Sequence, residues 1–261
     1  DGKFEAVDYG KADPNKLDRD AIIKKMLESG VWPVVRQRPY STIANSADMP
    51  KAIFVSAFDT APLAPDFDLI VHGYGDEFQA GLDALTKLTK GKVHLNIDAK
   101  ATKSKVFLNS KNVQVNQFSG PHPTGNVSVH INRIDPLNKG EVIWYVGPQE
   151  VLTIGRLFLT GKFDSSRIVA LAGSEVSKPK YYKTHIGARI TNMMSGNLKS
   201  TNCRFISGNV LTGEKIEKDG FIRFYDSVVT VIPEGDYYEF FGWVLPGLKK
   251  FSVSGTFLSK L

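Results

Sequence analysis

The sequence contains one cysteine, Cys203, and no long apolar run. A single cysteine excludes an intramolecular disulfide, and it excludes an iron–sulfur cluster or a four-cysteine zinc site made by this chain alone. We therefore expect a reducing compartment. A transmembrane helix needs about 20 consecutive apolar residues, and no stretch comes close to that length. The opening DGKFEAVDYGK also lacks the basic and apolar regions of an export signal, so we expect neither a membrane span nor secretion.

A glycine-rich phosphate-binding turn is also missing. Dinucleotide-binding Rossmann domains carry GxGxxG directly after the first strand, where the backbone approaches a pyrophosphate at a helix N-terminus. Here the strand-like KAIFVSAF is followed by DTAPLAPDFD, which has no glycine. GYGDEF and GPHPTG contain glycines without completing the pattern, and the prolines of the second remove backbone donors. We do not expect NAD to bind in this manner.

The charge is moderately positive, with a net value of +6 and an isoelectric point near 9.2. Basic residues occur in small groups, and no run of five or six like charges exists. Such groups are typical of solvated faces, or they form a docking surface for acidic partners. Because the charge is dispersed, nucleic-acid binding is not expected.

Strands alternate with helices over residues 31–163. KAIFVSAF, KVHLNIDA, VQVNQF and VIWYVG have the composition of buried strands. Phe78, Leu82, Leu85 and Leu88 share one helical face, and a second helix is predicted within PQEVLTIGRLFLTG. This order predicts a Rossmann-like α/β domain with a parallel sheet. Residues 1–30 are predicted to form an N-terminal helix and connector, with Asp18 as N-cap and Gly30 after the helix end.

Shorter strands and turns follow from residue 164. The order strand, strand, helix, strand within residues 164–218 predicts a β-grasp, ubiquitin-like domain. Residues 219–261 are predicted to add a C-terminal β-hairpin, with its two strands joined at PEGD, and a tail. The fold class is therefore α/β, a Rossmann-like parallel-sheet domain followed by a β-grasp domain.

The stretch FSGPHPTGNVSVHINRIDP, which follows a predicted strand, holds the most distinctive candidate site. Pro121 and Pro123 restrict the backbone around His122, and Gly120 permits left-handed angles. The turn is either a rigid elbow, or it holds His122 outward to donate to a carbonyl or quinone oxygen. His130 lies on an apolar helical stripe, which indicates a packed or partner-facing residue.

Other candidate sites have simpler explanations. His122 and His130 are eight residues apart with no evident third ligand, so a metal site is not expected. Cys203 precedes the apolar FIS in a predicted strand, which favours a buried, unreactive thiol over a nucleophile. The aromatic runs YYK and YYEFFGW can stack bases or form half-buried strand pairs. Phe241 and Trp243 in the second run indicate an apolar interface as a further alternative.

Five blocks resemble one known family. RQRPY, KAIFVSAFDTAPLAPDFD, FSGPHPTGNVSVHINRIDP, ISGNVLTG and EFFGWVLPG are similar, in this order, to blocks of the A subunit of the bacterial Na+-translocating NADH:quinone oxidoreductase. The resemblance covers nearly the whole chain. It implies a Rossmann-like domain joined to a β-grasp domain of the SLBB type, preceded in the family by a lipoyl-like domain and followed by a C-terminal segment. The family turn is usually GPHPAG, whereas Thr124 occupies its fifth position here.

The resemblance implies a peripheral subunit on the cytoplasmic face of the bacterial inner membrane, in a complex that oxidises NADH, reduces ubiquinone and exports Na+. Flavins and the iron–sulfur cluster are expected in other subunits, with no cofactor bound by this chain. Ubiquinone is a possible ligand, for which Gly120, Pro121, His122 and His130 are the candidate residues. The other subunits, including the membrane subunits, are the expected partners.

Two functions therefore remain open, and the missing glycine-rich turn argues against a third, a soluble flavin or NAD enzyme. One is a cofactor-free subunit that supports ubiquinone reduction by binding quinone, by docking to membrane subunits, or by both. The other is a purely structural scaffold without a ligand site. Arg36, Arg38, Phe241 and Trp243 are the candidate docking residues under either hypothesis. No complete catalytic activity is expected from the chain alone.

Overall fold

The computed structural model describes residues 5–242 and 244–246, and it contains two β-sheets. Sheet A has six strands, which are β1 (Arg36–Arg38), β2 (Thr42–Ile43), β3 (Ile53–Ser56), β4 (Val93–Asp98), β5 (Gln114–Phe118) and β6 (Ile143–Val146). Sheet B has five strands, which are β7 (Ser166–Ala172), β8 (Lys180–His185), β9 (Cys203–Ser207), β10 (Glu214–Ile216) and β11 (Val228–Pro233). The α/β fold class predicted from the sequence is confirmed.

Sheet A is a Rossmann-like sheet with the strand order β2-β1-β6-β3-β4-β5. Its four central strands are parallel, and β1 and β2 add antiparallel strands at one edge. The chain proceeds from β3 outward through β4 and β5 and then returns to form β6 on the other side of β3. Ligands of such sheets bind in the crevice at the carboxyl ends of the two strands where the order reverses. In this sheet those strands are β3 and β6.

Helices cover both faces of sheet A, and one short helix packs on sheet B. They are α1 (Arg19–Glu28), α2 (Phe67–Ile70), α3 (Gly75–Thr86), α4 (Lys105–Leu108), α5 (Val127–Ile134), α6 (Pro148–Thr160) and α7 (Thr191–Met194), with 3-10 turns at Pro14–Lys16 and Trp32–Val34. A large core lies under α1, α3 and α6, and a smaller one lies under α5. Each face of sheet A therefore has its own apolar cover.

The helix boundaries follow their local sequence signals. The Asp18 side chain accepts a hydrogen bond from Ala21 N–H at 2.8 Å and caps α1, and Gly30 has a φ of +75° just past its end, both as predicted. The side chains predicted on one helical face, Phe78, Leu82, Leu85 and Leu88, are all buried, although α3 ends before Leu88. Helix α1 packs into the same core as sheet A, so this N-terminal helix is part of the first α/β unit.

Two glycines set the closest approach between helices. A β-carbon on Gly155 of α6 would lie 1.7 Å from the carbonyl oxygen of Glu77 in α3. A β-carbon on Gly81 of α3 would lie 2.2 Å from the carbonyl of Val151. The backbones of α3 and α6 thus touch directly, which only glycine permits at these positions.

Sheet B has the strand order β10-β9-β11-β7-β8. Strand β11 pairs parallel with β7 and antiparallel with β9, so it lies in the middle of the sheet. This is a β-grasp topology, in which the last strand joins the two hairpins. The sheet therefore depends on residues up to Pro233, beyond the residue 218 at which the β-grasp domain was predicted to end.

The predicted C-terminal hairpin is not formed in the part of the chain that the structure describes. Both edges of β11 are already paired, with β7 and β9, so no edge remains for a following strand. Residues 234–242 form no strand, and Tyr237 and Tyr238 are exposed. The central position of β11 is the reason that the hairpin prediction was wrong for these residues.

Side chains of α6 fasten the two sheets together. The Gln149 amide donates to the carbonyl of Ile168 in β7 at 2.9 Å, and its oxygen accepts from Ile168 N–H at 2.8 Å. The buried Glu150 carboxylate pairs with the Arg167 guanidinium, also in β7. The first turn of α6 therefore binds β7 by side-chain hydrogen bonds. None of the helices in the described ranges has the length and apolar character needed to span a bilayer.

Candidate functional site

The GPHPTGN turn joins β5 to α5 and is closed by its own hydrogen bonds. Thr124 donates to the carbonyl of Pro121 from its backbone N–H at 3.0 Å and from its hydroxyl at 2.6 Å. Asn126 N–H donates to the carbonyl of Pro123 at 2.8 Å. Gly120 has a φ of +147°, and a β-carbon there would lie 2.8 Å from the Thr124 hydroxyl. The turn is therefore a rigid elbow whose first residue must be small.

His122 lies on the exposed side of this elbow and is held through the loop after β3. Its Nδ1 atom is 3.1 Å from the hydroxyl of Thr60, and that hydroxyl oxygen accepts from Gly125 N–H at 3.0 Å. The Thr60 proton can therefore be donated to Nδ1, which leaves the ring proton of a neutral His122 on Nε2. Within the described residues Nε2 makes no hydrogen bond, so it is available as a donor to a ligand.

His130 lies behind the elbow and is completely buried. Its Nε2 donates to the carbonyl of Thr124 at 2.8 Å, so its Nδ1 accepts from the Ser56 hydroxyl at 3.1 Å. Its ring packs between Phe118 and Phe58, with centroid distances of 4.4 and 5.3 Å. His130 therefore connects the end of β3 to the elbow, and its orientation is fixed from every side.

The charge state of His130 follows from this burial. Loss of hydration lowers the pKa of His130 to about 4, and the hydrogen bond to the Thr124 carbonyl opposes this shift only in part. The imidazole is thus neutral at physiological pH. His130 acts on any ligand through the elbow that it positions, since its own ring is enclosed.

A cleft of about 410 Å³ opens beside His122, at the carboxyl ends of β3 and β6. This volume is in the range of small-molecule sites. Its walls come from both sheets, and they include Arg36, Arg38, Ser56, Phe58, His122, Gly125, Asn126, Tyr145, Gly147, Asn209, Thr212, Tyr225 and Ser227. The cleft therefore occupies the expected ligand position of a Rossmann-like sheet, and the β-grasp unit closes it.

Arginine and tyrosine side chains form one wall of the cleft. The Arg36 guanidinium carbon lies 4.6 Å from the centroid of the Tyr145 ring and 4.1 Å from that of Tyr225. The guanidinium of Arg38 lies 5.1 Å from the Tyr145 ring. The Tyr225 hydroxyl donates to the carbonyl of Pro33 at 2.8 Å. These contacts fix the cations against aromatic faces and present a flat, positively charged wall.

The N-terminus of α6, which also borders the cleft, is closed by its own residues. Pro148 supplies no backbone N–H donor. A β-carbon on Gly147 would lie 2.3 Å from a carboxylate oxygen of Glu150, so the Glu150 side chain folds back over the helix start. An anionic group already occupies this N-terminus, and a phosphate has no free site there.

The structure brings together only some of the predicted site residues. His122, Arg36 and Arg38 line the same cleft, which their separation in sequence did not indicate. Gly120 and Pro121 shape the elbow without lining the cleft. His130 does not line the cleft either. Phe241 is partly exposed and packs edge-on against Phe240 with 4.5 Å between ring centroids. Trp243 lies outside the described residues.

Sequence reasoning missed Tyr145, Tyr225 and Thr60. Tyr145 lies near the carboxyl end of the strand-like VIWYVG, and the rule that ligands bind at strand carboxyl ends could have identified it. Tyr225 reaches the cleft from the second sheet, and no local pattern signals such a contact. Among the described residues, no cluster of histidine, cysteine or carboxylate side chains could hold a metal ion.

Comparison with known proteins gives consistent matches over most of the chain. Residues 17–163 match the family model described as the NqrA second alpha/beta domain, and residues 168–218 match the NQRA C-terminal domain. Two curated relatives are each named as the A subunit of a Na(+)-translocating NADH-quinone reductase. That of Photorhabdus laumondii is 40% identical over 249 residues, covering 95% of this chain and 55% of the relative. That of Vibrio atlanticus is 39% identical over 261 residues, covering 98% and 58%.

The chain spans little more than half the length of these relatives. Among solved structures, the crystal structure of an NAD+-reducing [NiFe]-hydrogenase in the H2-reduced state aligns with a TM-score of 0.56 at 11% identity, covering 84% of this chain and 47% of that one. Its air-oxidised state gives a TM-score of 0.54 at 12% identity, with 82% and 46% covered. At such identities the similarity concerns the fold alone.

Proposed function

Because the chain belongs to the NqrA family, the A subunits of the Na+-translocating NADH-quinone reductases, we propose that it supports ubiquinone reduction by binding the quinone ring in the cleft beside His122. The relatives carry the name of such a reductase component. The chain itself supplies a binding surface, and electrons arrive from flavins and an iron–sulfur cluster in other subunits. The chain holds no cofactor under this proposal.

The observation that supports the proposal is the convergence of His122 and an aromatic wall on one cleft of about 410 Å³. The free Nε2 of His122 can donate to a quinone carbonyl, and Thr60 orients that ring. Phe58 offers apolar surface to the cleft, and the guanidinium groups of Arg36 and Arg38 that lie over Tyr145 offer a flat surface to a planar ring. A hydrogen bond to a carbonyl combined with a flat wall of aromatic and guanidinium groups suits a quinone head group.

Docking to membrane subunits is the second part of the proposal. The chain is expected at the cytoplasmic face of the inner membrane, bound to its partners. Tyr237, Tyr238 and Phe240 are 86 to 95% exposed in one short segment, and aromatic side chains of this kind are common at protein interfaces. This segment also supports the alternative function, a structural scaffold without a ligand site.

A His122→Ala variant of the assembled complex distinguishes the two functions. Loss of one hydrogen bond to the quinone should raise the KM for a short-chain ubiquinone about tenfold, with NADH oxidation by an artificial acceptor unchanged. His72→Ala, at another exposed histidine, is the matched control. Failure of the complex to assemble would favour the scaffold, and unchanged kinetics would exclude quinone contact by His122.

A further inference from the structure

Two arginines enter the cleft from β1, and no polar side chain or carbonyl among the described residues pairs with them. Arg36 and Arg38 are two residues apart on the strand, so their side chains share one face, and both stack on the Tyr145 ring. Among the described residues, neither guanidinium makes a hydrogen bond or an ion pair. The Nε atom of Arg38 is buried and has no acceptor. A buried donor without an acceptor is costly in a folded protein.

Other arginines with an unpaired Nε differ from Arg38 in one respect. Arg19, Arg167 and Arg204 also bury an Nε without an acceptor. In each of them the outer nitrogens bind protein oxygens, the backbone carbonyl of Asp48 for Arg19 and a carboxylate for the other two. Arg38 has no such compensation within the described residues. The Arg38 guanidinium is therefore positioned by its contact with the Tyr145 ring, and its N–H groups donate to no oxygen of the described residues.

The carboxylates that border the cleft are engaged elsewhere. Glu150, which borders the cleft at the start of α6, pairs with the buried Arg167. The carboxylate of Asp59 accepts from Ala61 N–H at 2.9 Å within its own loop. Among the described residues, neither carboxylate forms an ion pair with Arg36 or Arg38, and Asp59 alone balances one of their two charges, so the cleft keeps a net positive charge.

We infer that the cleft selects planar rings that carry negative charge on an oxygen, and that Arg36 and Arg38 are the residues that determine this specificity. The inference rests on the proposed quinone function and specifies which form of the ring is favoured. A neutral quinone and its one-electron-reduced or ionised relatives share one shape and differ in the charge on their oxygens. Both forms can accept hydrogen bonds from the guanidinium groups, but only the anionic form also gains the attraction of an ion pair with them.

The contacts of these arginines favour this selectivity for a second reason. Guanidinium groups that are already stacked on Tyr145 and Tyr225 lose little side-chain freedom when a ligand binds. A planar ring that lies along the same wall places its oxygens near their N–H groups. The positions of Arg36 and Arg38 should therefore make affinity depend more on the charge of the bound ring than on its shape.

Equilibrium dialysis with two dyes tests the inference on the full chain. One dye is a hydroxy-naphthoquinone whose hydroxyl group is ionised at neutral pH, and the other is its uncharged methyl ether. The anion should bind about tenfold more tightly than the ether. Arg38→Gln should weaken anion binding about tenfold and ether binding less than about twofold. Arg38→Lys, which keeps the charge, should retain most of the anion preference and also guards against a folding defect.

Arg133→Gln is the matched control, because Arg133 is exposed on α5 and does not line the cleft. It removes the same charge and should leave both affinities unchanged. Equal binding of the two dyes would overturn the charge preference and leave the quinone proposal standing. Binding of the anion alone would support the preference and count against neutral quinone as ligand. Absence of binding by both dyes would overturn both proposals.

Discussion

At the scale of single residues, His130 links acid stability to the candidate site. Its pKa is lowered to about 4 in the folded chain by burial, against an ordinary value of 6.5. The unfolded chain therefore binds more protons between these two values, and stability is lost as the pH falls through this window. Protonation of His130 would also reverse its hydrogen bond with Ser56, because Nδ1 would then donate to the hydroxyl oxygen. Acid should loosen the elbow together with the fold.

We predict that this histidine removes roughly 2 kcal/mol from the free energy of unfolding between pH 7 and pH 5. Urea denaturation of the native chain and of His130→Gln at both pH values measures it. The His130→Gln variant should be less stable than the native chain at pH 7. Between pH 7 and pH 5, its free energy of unfolding should fall by roughly 2 kcal/mol less than that of the native chain. His72→Gln, at an exposed position, should keep the native pH dependence. An equal slope for native chain and His130→Gln would contradict the prediction.

The sequence predicted the residues of the elbow better than their roles. Two prolines and a glycine around His122 are local signals, and a rigid turn follows from them directly. The different roles of His122 and His130 depend on Ser56, Phe58 and Thr60, which contact the elbow from the end of β3 and the loop that follows it. Such side-chain pairings across a fold are set by three-dimensional packing and leave no pattern in one sequence.

At the scale of elements, the α3–α6 crossing depends on glycine. We predict that Gly155→Ala lowers the free energy of unfolding by about 3 kcal/mol, because the added methyl group meets the Glu77 carbonyl of the facing helix. Gly75→Ala is the control. Gly75 is the first residue of α3, and a β-carbon there would meet nothing within 4 Å. This control should be neutral or slightly stabilising. Thermal unfolding of both variants decides, and equal midpoints would show that the helices can separate without cost.

Strand β11 should be required for sheet B to form. A chain that ends at residue 218 lacks the strand between β7 and β9, and it also loses the buried Val229 and Val231. Sheet B should then lose protection against amide exchange while sheet A keeps it. A chain that ends at residue 242 retains β11 and should protect both sheets. Persistent protection of β7 in the shorter chain would show that β11 is dispensable.

The elements themselves were largely predictable, for a physical reason. Val151, Ile154 and Phe158 recur at helical spacing, and all three are buried in α6. The pairing of β11 was not predictable in this way. Its partners are β7 and β9. Alternating apolar residues predict that a segment is a strand, but they do not indicate which strands it pairs with.

At the scale of the whole molecule, the buried Glu150–Arg167 ion pair that connects α6 to sheet B should contribute strongly to stability. Arg167→Ala would leave the Glu150 carboxylate buried without its partner, and we predict a loss of about 3 to 5 kcal/mol. The double variant Arg167→Met with Glu150→Gln removes both charges and should recover most of this loss. Urea unfolding followed by circular dichroism measures both. Equal losses for single and double variants would contradict an ion-pair origin.

The sequence predicted a Rossmann-like unit and a β-grasp unit and left their relative arrangement open. The order of strands and helices along the chain is a local property, so it identified both units. The cleft between them results from Gln149, Glu150 and Tyr225, whose contacts connect residues far apart in the chain. Site prediction from the sequence was therefore confined to the part that one unit contributes.

The late position of β11 also affects the order of events during protein synthesis. Strand β7 is made well before the strand that pairs with its second edge, because Ala170 of β7 pairs with Val228 of β11. A nascent chain consequently carries an open parallel strand edge until β11 has left the ribosome. The last wall of the cleft, at Tyr225 and Ser227, emerges in the same interval. Translation must therefore pass β11 before the nascent chain can bind any ligand in the cleft.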